Sequence, residues 1–197
     1  MPNWCYTDIH INHDDKQKLK AFSEQIEKWM KTPALPDVTW SNWLGNIILN
    51  AGIGTVDTGK STDLRCRGSV TYLEFMGDYI SIDTETAWAP MMLMWQKLVD
   101  KYLPDAEITY CAEECGCELY WTNDPLWEGK YRIDSCGEST DPVGYIYGDY
   151  SCEKTLELLR EWLKTDSDDM TSLIAEAESN FDVVIAPWEY VEICDCD

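Results

Sequence analysis

Basic side chains are scarce in this chain. Its 197 residues hold 15 Lys+Arg against 37 Asp+Glu, a formal net charge of −22. A field of that sign repels nucleic acid, anionic lipid and phosphorylated substrates, and steers basic partners in. Histidine is scarcer still: only His10 and His13 are present, so a Cys/His nucleophile would have to draw on one of them. Gly-x-Ser-x-Gly and His-Glu-x-x-His are both missing, and no enzymatic activity is expected. The longest uncharged stretch, residues 38–56, contains Ser41, Asn42, Asn46, Asn50 and three glycines, so it is not read as a membrane helix. The opening MPNWCYTDIHINHDD has no basic region, no long apolar run and no small-residue cleavage site, which makes the cytosol the expected compartment. Nine cysteines, an odd number, fit thiols in a reducing compartment better than a disulfide framework.

Hydrophobic residues make up 45% of the chain, with ten Trp and eleven Tyr, enough to bury a core and the opposite of an aromatic-poor disordered sequence. The charge is unevenly placed. Residues 1–100 hold 13 acids and 9 bases (net −4), whereas residues 101–197 hold 24 acids and 6 bases (net −18).

Residues 5–13 alternate, with Cys5, Thr7, Ile9 and Ile11 on one side and Tyr6, Asp8, His10 and Asn12 on the other, which predicts a half-buried strand. Asp14 or Asp15 then caps a helix carrying Leu19, Phe22, Ile26, Trp29 and Met30 at three- and four-residue steps, ended by Pro33 and Pro36. Residues 37–68 read as irregular. SVTYLEF and DYISID read as a hairpin, and Pro90 opens a second helix with Met91, Met94, Trp95, Leu98, Val99 and Tyr102 on one stripe. AEITYCA, CELYWT and KYRID follow as short strands. This order predicts an α+β fold, a ferredoxin-like split βαβ sandwich with extra strands over residues 1–135. An acidic helical extension over 136–197 is expected to pack on it, with helices at 152–164 and near 168–180 and a terminal strand-like segment, VVIAPWEYVEIC.

The opening MPNWC, the segment NAGIGTVD, the run IDTETAWAP and the acidic turn after EITYCAEECGCELY resemble the YubB-like proteins of phages and conjugative plasmids. The resemblance covers about residues 1–135 and departs from the usual pattern at Ala51, where the family commonly has Trp, and at Met91, where it has a second Pro. It implies a ferredoxin-like domain and a mobile-element habitat in a bacterial host, where many small proteins act against host defence.

Three formal motifs are weaker than they look. Gly54-Thr-Val-Asp-Thr-Gly59-Lys60-Ser61 fits the phosphate-loop pattern, but such a loop needs a strand before it and a helix after it. Cys111-x3-Cys115-x-Cys117 lacks the spacing that lets thiolates converge on zinc. Asp166, Asp168 and Asp169 with Glu176 have Thr171 where a calcium loop needs glycine, and helix capping explains them better. No metal or cofactor is expected, and a nucleotide- or metal-dependent enzyme or regulator at Gly54–Ser61 or Cys111–Cys117 stays as the alternative. Trp29, Trp88, Trp95 and Trp162 are expected in the core. Trp121, Trp127, Tyr145, Tyr147 and Tyr150 lie in the acidic half, where exposed aromatics would anchor a basic partner.

The functional expectation is an inhibitor of a host defence nuclease, of anti-CRISPR or anti-restriction type, whose carboxylates mimic nucleic acid. The expected contact residues are Glu113, Glu114, Glu118, Asp166, Asp168, Asp169 and Trp127. The expected partner is a basic host protein that handles nucleic acid, with no direct nucleic-acid or membrane contact.

Overall fold

The computed structural model describes residues 3–36, 41–56, 64–114, 116, 119–136 and 142–195. The protein is mixed α+β and divides into two units, Met1–Asp124 with Val191–Asp197, and Pro125–Tyr190. None of the helices among the described residues is long and apolar enough to cross a membrane.

In the first unit, strand β1 (Trp4–Asn12) buries Cys5, Thr7, Ile9 and Ile11, the alternation read from the sequence. Helix α1 (Lys16–Lys31) starts at Asp15, whose carboxylate accepts the backbone N–H groups of Gln17 and Lys18. The bond from Lys18, with the one from Gln17, holds the Asp15 carboxyl below its ordinary value. Helix α2 (Leu44–Ala51) lies inside the stretch read as irregular. Its residues are nearly all buried, so no polar stripe marks it in the sequence, and Gly52 ends it at a left-handed φ of 60°. Strands β2 (Gly68–Phe75) and β3 (Tyr79–Ala87) form the expected hairpin. Helix α3 (Met92–Tyr102) and strands β4 (Glu107–Glu114) and β5 (Leu119–Thr122) follow.

The strands lie in the order β2-β3-β1-β4-β5, every neighbouring pair antiparallel. Ile9 and Ile11 sit opposite Ile82 and Ile80 on one side and Tyr110 and Ile108 on the other. These side chains share one core with Leu19, Phe22 and Ile26 of α1, Ile47 and Ile48 of α2, and Trp95 and Leu98 of α3. All three helices therefore cover the same face of the sheet. The chain returns to this unit at its end, where Ile193 joins the core.

The second unit corrects the expected extension. It carries strands β6 (Lys130–Cys136), β7 (Tyr145–Ser151) and β8 (Val183–Pro187) in the order β7-β6-β8, both pairs antiparallel, together with helices α4 (Cys152–Leu163) and α5 (Met170–Asn180). It is thus α+β rather than helical. The boundary falls at Asp124/Pro125 instead of 135/136, because β6 finds its partners in β7 and β8. Ile133, Val183 and Ile185 pack with Leu159, Trp162, Leu173 and Ala177.

Candidate functional site

The five strands of the first unit contain no Lys and no Arg, yet hold seven carboxylates: Asp8, Glu74, Asp83, Glu85, Glu107, Glu113 and Glu114. Period-2 alternation puts six of them on the face turned away from the helices. Asp8 stands between buried Thr7 and Ile9, Asp83 and Glu85 flank buried Thr84, and Glu107 and Glu113 neighbour buried Ile108 and Ala112. Glu74 is in register with Ser81 on the same side. The cations sit elsewhere. Helix α1 alone carries Lys16, Lys18, Lys20, Lys28 and Lys31 against Glu24 and Glu27. The near-neutral count of the first hundred residues thus conceals a segregation, with cations on the helix layer and anions on the open sheet face.

At the centre of that face, Asp8 lies directly opposite Asp83, a cross-strand pairing of like charges that destabilises a sheet. Burial, and then the charge of Asp8, raise the Asp83 carboxyl above its ordinary value, while His10 pulls it the other way. His10 Nε2 lies 3.3 Å from Asp8 Oδ1, and the His10 ring meets Tyr79 edge-on at 4.7 Å. Tyr6 faces Glu85 on one neighbour and Glu113 on the other. Tyr72 faces Asp83, and its hydroxyl donates to Glu74. Tyr6 is 52% exposed and Tyr72 41%. Carboxylates interleaved with accessible phenol rings can accept cationic hydrogen-bond donors and stack planar cations.

The opposed pair has a pH signature. Because the folded-state pKa of Asp83 lies above its unfolded value, the penalty is full above the folded pKa and disappears below the unfolded one. Asp83→Asn should therefore melt about 1–2 °C higher than the parent at neutral pH, a shift discounted for the exposure of the site. The advantage should shrink as pH falls through the raised pKa. Thermal melts of both proteins across the acid range check this.

The residues picked from the sequence do not form one cluster. Glu113 is half-buried on the face of β4 turned away from the helices, with its Oε2 enclosed beside buried Tyr120 of β5. Glu114, on the opposite side of the strand, is only 3% exposed, and its Oε1 accepts the Gly116 N–H at 3.0 Å. A partner docking on this surface does not reach it. Glu118 lies outside the described residues. Trp127, in a short 3-10 turn (Pro125–Trp127), packs on Trp188 at 4.7 Å with Lys130 Nζ 4.5 Å over its ring. Asp166 is exposed, Asp168 pairs with Arg160, and Asp169 caps α5. The Asp169 carboxylate accepts the Ser172 hydroxyl at 2.7 Å and the Ser172 N–H at 3.3 Å, which hold it below its ordinary value. The capping explanation of this acidic stretch therefore applies at Asp169.

Among the sequence's aromatics, Trp29, Trp95 and Trp162 are buried. Trp88 is not in the core: it is 50% exposed at a left-handed φ of 76°. Tyr145 and Tyr147 are exposed on β7, the former at 81%. Sequence reasoning missed Tyr6, Asp8, Tyr72, Asp83 and Glu85 as a group. Their signal was available in strands that alternate apolar residues with acids and lack any base.

The two alternative sites fare as follows. The residues before Gly54 form α2 and its left-handed cap rather than a strand, so a phosphate loop would lack its usual lead-in. Asp57–Ser61 lie outside the described residues, as do Cys115 and Cys117. Cys111 Sγ lies 3.4 Å from Thr122 Oγ1. Among the described residues, no group of three or more His, Cys, Asp or Glu is placed to hold a metal ion. Cys5, Cys66, Cys111, Cys152 and Cys194 are not joined in disulfides. Burial, outweighing its bonds to Thr7 and Thr86, pushes Cys5 up to about 12, which keeps it protonated and unreactive. Comparison with family models, with curated proteins and with solved structures finds no match to this chain.

Proposed function

We propose that the chain is a phage- or plasmid-borne protein that binds and inhibits a nuclease of the bacterial host's defence, offering carboxylates where nucleic acid would lie. Within this reading the first unit is a ferredoxin-like split βαβ domain, supported by the order β2-β3-β1-β4 with antiparallel neighbours. The protein is not an enzyme but a binder that works in the host cytoplasm. The observation that carries the proposal is the outer face of β1–β4, six carboxylates with no Lys or Arg on any of those strands. The second unit adds to the same field, with 15 acids against 5 bases (net −10) and exposed Tyr145 and Tyr147. A surface of this kind competes with nucleic acid for the same Lys and Arg side chains.

The test is to recover proteins bound to the full chain in a bacterial lysate and to titrate the isolated complex. A basic nucleic-acid enzyme is expected, released steeply as salt rises and displaced by DNA or RNA. Binding indifferent to both salt and nucleic acid would remove the mimicry reading.

A further inference from the structure

We infer that the open sheet face of the first unit is a docking surface for an arginine-rich segment of a protein partner, with Asp8, Asp83 and Glu85 receiving guanidinium groups and Tyr6 and Tyr72 stacking on them. The inference rests on the reading above, that the chain receives a basic surface, and it names the chemistry of that surface and its address.

Two features select arginine. The first is the spacing of the carboxylates. Directly opposed residues on neighbouring strands have Cβ atoms roughly 4.5–5.5 Å apart, and Asp8 and Asp83 are such a pair. A planar guanidinium with five donors in a fixed fork can bond both carboxylates at once, whereas an ammonium acts as a point charge. The bridging cation would also cancel the like-charge repulsion that the free sheet tolerates, since none of β1–β5 supplies a Lys or Arg.

The second feature is the exposed phenol rings. Tyr72 stands opposite Asp83, and Tyr6 stands opposite Glu85 and Glu113, so each accessible ring has a carboxylate beside it. Arg stacks on such rings and is more weakly hydrated than Lys, so it loses less on leaving water. A sheet face that is costly in repulsion and carries large exposed rings is better suited to a partner than to solvent. The near-neutral half of the sequence therefore carries an interface of its own.

The experiment titrates the full chain with oligo-arginine and oligo-lysine of equal length at low salt. The parent should bind the arginine peptide about threefold to fivefold more tightly. Asp8→Asn/Asp83→Asn should weaken arginine binding about tenfold. Tyr6→Ser/Tyr72→Ser should remove the preference for arginine while leaving lysine affinity in place, and Glu161→Gln, an exposed position on α4 of the second unit, should change neither. Because Asp83→Asn relieves repulsion, melts of the Asn variants at or above the parent separate lost binding from lost folding. Equal affinity for the two peptides, or equal weakening by Glu161→Gln and the face variants, overturns the arginine surface and leaves the wider reading standing. Binding to neither peptide overturns both.

Discussion

Asp149→Ala should lower the stability of the second unit by about 3–5 kcal/mol, the usual result of stripping one partner from a buried ion pair. Arg132 on β6 is directly opposite Asp149 on β7. Its side chain is 8% exposed, and its Nε donates to Asp149 Oδ1 at 2.8 Å. The same oxygen accepts the Trp188 indole N–H, also at 2.8 Å. The guanidinium lies over the rings of Tyr147 and Trp188 at 4.7 and 5.6 Å. Alanine would leave a buried cation without its carboxylate and an indole donor without this acceptor. Replacing the pair together, as Arg132→Met/Asp149→Leu, should recover part of the loss, because an apolar pair of similar volume avoids the desolvation of two charges while the Trp188 indole still lacks this acceptor. Denaturant unfolding of the parent, the single variant and the double variant makes the comparison. A loss below about 1 kcal/mol for Asp149→Ala would mean that water reaches the pair and that the cluster is not a structural centre.

The same cluster shows which parts of the fold the sequence made legible. Local periodicity identified β1, α1, the β2–β3 hairpin and α3, because each buries one face and the alternation or stripe is written in consecutive residues. It failed where burial is all-round or where partners are remote. In α2, Leu44, Asn46, Ile47 and Ile48 are all buried, and without a polar face the asparagines and glycines suggested a loop. Strand β7 was hidden by Gly148 and Asp149 inside a tyrosine alternation, and with it went the reason to group β6 with the second unit. The candidate site failed for a related reason. Counting charge along the chain pointed to residues 101–197, but Asp168 and Asp169 serve Arg160 and the start of α5, and Glu114 faces inward. The pairing of Asp8 with Asp83 depends on strand register, which joins residues far apart in sequence. An acidic count says how much charge there is, and register says which carboxylates share a face.

Asn46→Leu should destabilise the first unit by about 2–4 kcal/mol, although leucine is of similar size and better suited to an apolar site. Asn46 is fully buried. Its Oδ1 accepts the Ala34 N–H at 3.0 Å, and its Nδ2 donates to the Met30 carbonyl at 3.4 Å. One turn later, Asn50 Nδ2 donates to the carbonyls of Trp29 and Thr32 at 3.0 and 2.7 Å. The last carbonyls of any helix have no partner within it, and α1 ends at Thr32 in extended backbone rather than at a left-handed glycine. Helix α2 therefore supplies from its side chains what the end of α1 lacks, and the two asparagines that disguised α2 as a loop are there to close its neighbour. Leucine at 46 would take the acceptor away from the part-buried Ala34 N–H and the amide donor away from the Met30 carbonyl. Two measurements check this together: denaturant unfolding should show the loss in stability, and hydrogen exchange at the Ala34 amide should speed up under native conditions. A stability loss without faster exchange at Ala34 would place the contribution of Asn46 in packing rather than in closing the end of α1.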